Sequence, residues 1–224
     1  MTMTSDESPT PSAVRVGLAA LALAAALGAL SGCAPIVAGA AVGGTVLVAT
    51  DRRTAATQLE DQTIELKAGN RLREQLGERA RVTVTSFNRR VLLTGEVASE
   101  ADRQTVLRIV QGVENVAALV DELAVMGSPS LTARSADALV TARVKAAFVD
   151  AQDLSANAIK VVTERGTVYL MGRVTQREAN RAAEVARVVP GVQRVVRVFE
   201  IISEAELARL QAAPAPSEAA PASR

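Results

Sequence analysis

One thiol and no imidazole set the chemical repertoire of this chain: Cys33 is the only cysteine, and histidine is absent from all 224 residues. Without an imidazole, histidine-activated nucleophiles and zinc sites with histidine ligands are excluded. The acidic residues sit in helix-like, exposed patterns rather than as an opposed pair, so a two-carboxylate hydrolase is not expected either. The expectation is a protein that is not an enzyme, with no catalytic residue, no metal and no cofactor.

The chemistry left to Cys33 is acylation. It closes Leu30-Ser31-Gly32-Cys33 at the end of an apolar run, Val16 to Leu30. A small residue before a cysteine after a short hydrophobic stretch is the cleavage signature of a bacterial lipoprotein. Cleavage before Cys33 frees its amine for a third acyl chain, while the thiol carries a diacylglycerol. Residues 1–32 then form a signal peptide and Cys33 is the lipid anchor. Two other readings compete. The low-polarity stretch continues through Ile36-Val37 to Val48-Ala49 with no charge until Asp51, so an uncleaved span could use part of it, although Val16 to Leu30 alone falls short of the ~20 residues a spanning helix needs. A buried structural cysteine is the third. Ala34 after the cysteine, where aspartate would retain a lipoprotein at an inner membrane, directs this one to an outer membrane and its periplasmic face.

Composition narrows the partners. The formal net charge is +1, aromatic residues make up 2% of the chain, and tryptophan is absent. There is neither the basic excess nor the stacking surface that nucleic acid needs, so no nucleic-acid partner is expected. With a single cysteine there is no internal disulfide. The core must come from Val, Leu, Ile and Ala.

The elements that position everything else form an internal repeat. Val82-Thr83-Val84-Thr85 followed by Val91 to Val97 recurs as Ile159-Lys160-Val161-Val162 followed by Val168 to Val174. The turns Asn88-Arg89-Arg90 and Glu164-Arg165-Gly166 make each pair a β-hairpin. Ser99 and Thr175 are expected to cap the helices that follow, with Glu178 completing a capping box. Those helices bury Val106, Ile109 and Val110 in one copy and Ala182, Val185, Ala186 and Val189 in the other. They stop at Gly112-Val113 and Pro190-Gly191-Val192, where glycine supplies the left-handed conformation. A last strand follows each, Ala118 to Val125 and Val195 to Ile202. A helix precedes each hairpin, marked by Ile64, Leu66, Leu72 and Leu76, and by Val140, Val144, Ala147 and Phe148.

The predicted fold is α+β: two tandem α-β-β-α-β sandwiches, each a three-stranded mixed sheet packed on two helices. The expected organisation is 1–32 signal peptide, 33–58 lipidated cysteine and Ala/Gly-rich spacer, 59–126 first domain, 127–134 linker, 135–203 second domain, and 204–224 a helical extension with an Ala/Pro/Ser tail. The turn chemistry of Gly127-Ser128-Pro129-Ser130 suggests a close-set pair, and a body this small must draw part of its stability from docking of one domain on the other. Whether the exposed edge strands are paired or covered is left open.

Gly95-Glu96-Val97 and Gly172-Arg173-Val174, the later Gly-Val steps and the element order resemble BON domains. Two of them behind a lipobox resemble the dual-BON outer-membrane lipoproteins associated with division and outer-membrane stress. The likeness is densest where Val168-Tyr169-Leu170-Met171-Gly172 leads into Thr175-Gln176-Arg177-Glu178-Ala179, and Ala49-Thr50-Asp51-Arg52-Arg53 also matches that family's pattern. The resemblance implies a non-enzymatic protein that binds anionic phospholipid through the first helix of its second BON domain, collects at division sites and supports outer-membrane integrity. Envelope or division proteins are the other partners it implies.

On that helix, Val140, Val144, Ala147 and Phe148 form the core stripe. Leu139, Arg143, Ala146 and, toward the edge, Val149 line a second face, with Lys145 on a polar flank. Apolar side chains beside cations are what contact with an anionic bilayer requires. In the resembling family an aromatic residue can stand at the Leu139 position. Two alternatives stay open: Leu139 and Val149 packing on the first domain, and a protein partner in place of lipid. The second of these makes the chain a lipid-tethered interaction scaffold for an envelope assembly factor or a cell-wall enzyme regulator.

Overall fold

The computed structural model describes residues 51–127 and 131–212, so Cys33, the lipobox and the spacer lie outside the described residues. Helix α1 (Ala55–Leu76) begins where the Thr54 side chain accepts a hydrogen bond from the Thr57 N–H, and it ends at Gly77, whose positive φ of 53° turns the chain away. It buries Ile64, Ala68, Leu72 and Leu76. Leu66, one of the apolar residues that mark this helix, is 65% exposed. Ile64, Ala68, Leu72 and Leu76 complete a stripe at four-residue spacing, and Leu66 falls on the opposite side of the helix.

Strands β1 (Ala80–Phe87) and β2 (Arg90–Val97) then pair antiparallel, with Phe87 opposite Arg90. The two residues between them, Asn88 and Arg89, have φ of 50° and 63°, the paired left-handed conformations of a tight hairpin turn. Helix α2 (Glu100–Gln111) starts on Ser99, which caps the Asp102 N–H. Strand β3 (Ala118–Val125) returns parallel to β2, giving a mixed sheet in the order β1-β2-β3.

The second copy repeats this order. Helix α3 (Leu131–Asp150), strands β4 (Ile159–Glu164) and β5 (Thr167–Val174), helix α4 (Gln176–Arg187) and strand β6 (Arg194–Ile201) form the sheet β4-β5-β6, followed by α5 (Glu204–Ala212). The Thr175–Glu178 capping box is present in full. Gly172 is required by close approach, since a Cβ there would stand 2.4 Å from the Ala158 carbonyl oxygen.

Both helix stops differ from expectation: α4 ends on Val188 in an ordinary right-handed conformation, and Gly191 turns the chain three residues later. Gly191 is left-handed, with φ of 98°, but Gly112 has φ −81° and caps α2 from an ordinary conformation. The left-handed residue of the first copy is Asn115, at φ 68°. Asparagine tolerates that region because its short polar side chain bonds locally, so the structural partner of Gly191 is Asn115.

Each sheet buries one face under its own two helices. The first core joins Ile64, Leu72, Leu93, Val106 and Val110, and the second joins Val144, Phe148, Leu170, Ala182 and Ala186. The other faces of the two sheets meet. Phe87 and Leu92 of the first copy form one buried cluster with Tyr169, Met171 and Val198 of the second. The run Val91-Leu92-Leu93 foreshadows this: all three side chains are fully buried, as in a strand covered on both faces. Fully burying a side chain of this size contributes about 1.5–3 kcal/mol. The half-exposed ion pairs at the rim, Lys160–Glu65 at 3.0 Å and Arg194–Glu122 at 2.8 Å, add about 0–1 kcal/mol each. Apolar contact therefore holds the domains together, and the charges set their register.

Candidate functional site

Helix α3 is held from beneath by three anchors. Val140, Val144 and Phe148 enter the core. The Asp137 carboxylate accepts hydrogen bonds from the backbone N–H groups of Arg165 (2.7 Å) and Gly166 (2.8 Å), the tip of the β4–β5 hairpin. Thr141 donates to the Thr163 hydroxyl at 2.8 Å. With that side engaged, the opposite side of α3 is fixed toward solvent.

The five residues singled out on α3 are all exposed. Leu139 is 51% and Val149 71% accessible, so neither packs on the first domain, and that alternative is overturned. Arg143 donates to the Pro190 carbonyl oxygen at 3.3 Å, which draws it toward the α4–β6 loop. Gly191 lets the loop come this close, since a Cβ there would stand 2.7 Å from a Val140 methyl. Lys145 makes no ion pair among the described residues, and Ala146 lies between the two cations.

Three further residues escaped the sequence reading. Ala138 and Ala142 are exposed, and at i and i+4 they extend Ala146 into a strip flanked by Leu139 and Val149. Val188, at the C-cap of α4, is 81% exposed two residues before the carbonyl that Arg143 engages. A signal existed: α3 is almost as apolar on the side facing away from the core stripe as on the stripe itself, which a solvated surface helix is not. Its only acid between Arg134 and Asp150 is Asp137, and that carboxylate is taken by the hairpin.

The face is thus a ridge of alanines with two larger apolar side chains, carrying a cation on either flank. It can lie in an interface between water and acyl chains while its cations meet anionic headgroups. Among the described residues no cluster of acidic, cysteine or histidine side chains is arranged to hold a metal ion, and no helix is long and apolar enough to cross a membrane.

Comparison with known proteins agrees with the architecture. The BON domain model matches residues 60–127 and again 136–203. The chain is 40% identical over 187 residues to the outer membrane lipoprotein DolP of Haemophilus influenzae, covering 80% of this chain and 95% of that protein. It is 31% identical to a 21 kDa hemolysin of Actinobacillus pleuropneumoniae, over 68% of this chain and 79% of that one. It is 30% identical to the osmotically-inducible protein Y of Escherichia coli, over 51% and 58%. The chain belongs to the BON-domain family of outer-membrane lipoproteins, a non-catalytic family.

Proposed function

We propose that this protein is lipidated at Cys33, held at the periplasmic face of the outer membrane, and binds anionic phospholipid through the outward face of α3. Leu139, Ala146 and Val149 enter the interface, and Arg143 and Lys145 meet phosphate. Through that contact the protein supports outer-membrane integrity and division-site function. The observation that carries the reading is the exposed apolar ridge of α3 between two cations with no carboxylate partner among the described residues. A cation near an anionic surface is worth about 1 kcal/mol. Two give a weak contact, which the covalent anchor raises by confining the body to the surface.

Co-sedimentation of the body from Asp51 to Gln211 with phosphatidylglycerol and phosphatidylcholine vesicles, at two salt concentrations, tests this. The expected result is binding to the anionic vesicles alone, weakened by salt. Reversing both charges, Arg143→Glu with Lys145→Glu, is expected to lower affinity at least ~30-fold, since removing two contacts of about 1 kcal/mol each already accounts for that factor. Binding indifferent to the double reversal would remove α3 as the site. Absence of binding would leave Cys33 as the membrane contact and make the protein a tethered interaction scaffold.

A further inference from the structure

Asp51-Arg52-Arg53, the first charges after the spacer, do more than end an apolar stretch. The Arg52 guanidinium forms a fork on Glu178, with Nη2 to Oε1 at 2.7 Å and Nη1 to Oε2 at 2.8 Å. It also donates to the Arg173 carbonyl oxygen at 2.8 Å and the Ser155 hydroxyl at 3.3 Å. Arg173 answers by donating to the Arg52 carbonyl oxygen at 3.3 Å. The Arg52 and Glu178 side chains are only 6% and 5% exposed. All these partners belong to the second domain, more than a hundred residues downstream.

The next residue turns to the first domain. Arg53 donates to Asp61 at 2.8 Å and to Asp51 at 2.7 Å, and its guanidinium lies 4.0 Å above the Phe87 ring. Phe87 belongs to the cluster between the sheets. Two consecutive arginines therefore insert one into each domain, at the point where the chain arrives from Cys33. Burying the Arg52–Glu178 pair costs desolvation that a loose linker would not incur. Burial would push the Glu178 carboxyl up, yet its bonds to Arg52 and to the Thr175 N–H hold it below the ordinary carboxylate range. Ser155 lies just beyond the C-terminal end of α3, so the seat is on the domain that carries the exposed ridge.

We infer that Asp51-Arg52-Arg53 is the seat of the anchor tether: Arg52 locks the incoming chain into the second domain and Arg53 locks it to the first, so the body hangs from a fixed point at their seam. Only Ala34 to Thr50 is left to span the distance to the bilayer, at most about 60 Å when fully extended. Arg52 is a positioning residue. It sets which side of the body the tether leaves, without touching lipid itself. The inference rests on the reading of Cys33 as the anchor and is independent of α3 as the lipid-binding face.

The sequence supplies a direct assay. Ala34 to Asp51 contains no lysine or arginine, so Arg52 and Arg53 are the first sites that trypsin meets beyond the anchor. The full lipidated protein in phosphatidylglycerol/phosphatidylcholine vesicles is treated briefly with trypsin, and fragments are identified by mass. A seated tether predicts slow release of a body beginning at Thr54. In Arg52→Gln, cleavage after Arg53 is expected to rise at least ~10-fold, because proteolysis follows the population of the opened segment, while cleavage after Lys67 and Lys160, one in each domain, stays unchanged. Arg52→Lys, which keeps the charge and loses the fork, is expected to fall between. Equal release from the wild type and Arg52→Gln overturns the inference. So does a parallel rise at all sites, which would make Arg52 a residue of the global fold. Protein found in the supernatant before protease is added would count against lipidation of Cys33 and leave the mass readout at Arg53 intact.

Discussion

The first helices of the two domains occupy equivalent places and present different surfaces. Ile64, Ala68 and Leu72 of α1 correspond to Val140, Val144 and Phe148 of α3, and Asp61 corresponds to Asp137, since each carboxylate captures the tip of its own hairpin. In that register the outward residues of α1 are Gln62, Thr63, Leu66, Asn70 and Arg73, where α3 has Ala138, Leu139, Ala142, Ala146 and Val149. Lys67 stands where Arg143 stands, but it is neutralised by Glu114 at 2.6 Å. The position of Glu114 is taken in the second copy by Pro190, which offers Arg143 a carbonyl oxygen instead. The two copies share the core and the turn capture, and their outward faces differ. One is a mixed face on which Leu59 and Leu66, each 65% exposed, stand among polar residues, and the other is an apolar ridge with cations left without an acid.

The comparison can be broken at its shared feature first. Asp61 holds Ser86 Oγ at 2.6 Å, the backbone N–H groups of Asn88 and Arg89 at 2.8 Å each, and Arg53, whereas Asp137 holds the two hairpin amides. Asp61→Ala takes the acceptor from the Ser86 hydroxyl and from two hairpin amides, while Arg53 keeps Asp51, and is expected to cost about 3 kcal/mol. Asp137→Ala is expected to cost about 1 kcal/mol. Denaturant unfolding of both variants measures the gap, and equal losses would mean the two carboxylates do the same job.

The divergent feature can be reversed. Pro190→Glu restores to the second copy the acid that neutralises Lys67 in the first, and it is expected to weaken anionic-vesicle binding about fivefold, the worth of one surface cation. Lys67→Glu, its mirror in the first domain, is expected to leave binding unchanged. A matching loss in both variants would erase the distinction between the two faces.

The smallest effect sharpens the contrast in pH response. Asp61 is held below the ordinary carboxylate range: burial would raise it, but the bonds from Ser86, Arg89 and Arg53 prevail. Its stabilisation is present above the ordinary range and is lost as pH falls through the depressed value. Glu164, at the other domain's hairpin, is pushed up by burial and then by the charge of Glu96. The folded state therefore favours its protonated form, and its ionisation destabilises the fold as pH rises past the ordinary range. Glu164→Gln is expected to stabilise the protein at neutral pH by less than about 1 kcal/mol, with the gain disappearing in acid. Thermal unfolding across pH 4 to 7 reads the difference.

Much of this was legible in residue patterns. Periodicity located both hairpins, Ser99 and Thr175 marked their helices, and Thr175 with Glu178 announced the capping box, because such features depend on neighbours a few residues apart. The α3 residues Leu139, Arg143, Lys145, Ala146 and Val149 could be placed on one side of a helix for the same reason. Leu66 marked the helix yet lies outside its core, because an apolar type in a helix names a candidate for burial without choosing a side. Gly112 was misread because its role belongs to Asn115, a residue whose left-handed conformation depends on the loop around it.

The sequence by itself determined the two α-β-β-α-β units, their caps and turns and the lack of any imidazole chemistry, since local propensity and hydrophobic period act along the chain. Only the tertiary structure decided that the bare faces of the two sheets close on each other around Leu92, Tyr169 and Met171, that Leu139 and Val149 remain outside that contact, and that Arg52 reaches Glu178. Those pairings join residues far apart in sequence, and which apolar surface is covered follows from how the two domains meet, a property no local window contains.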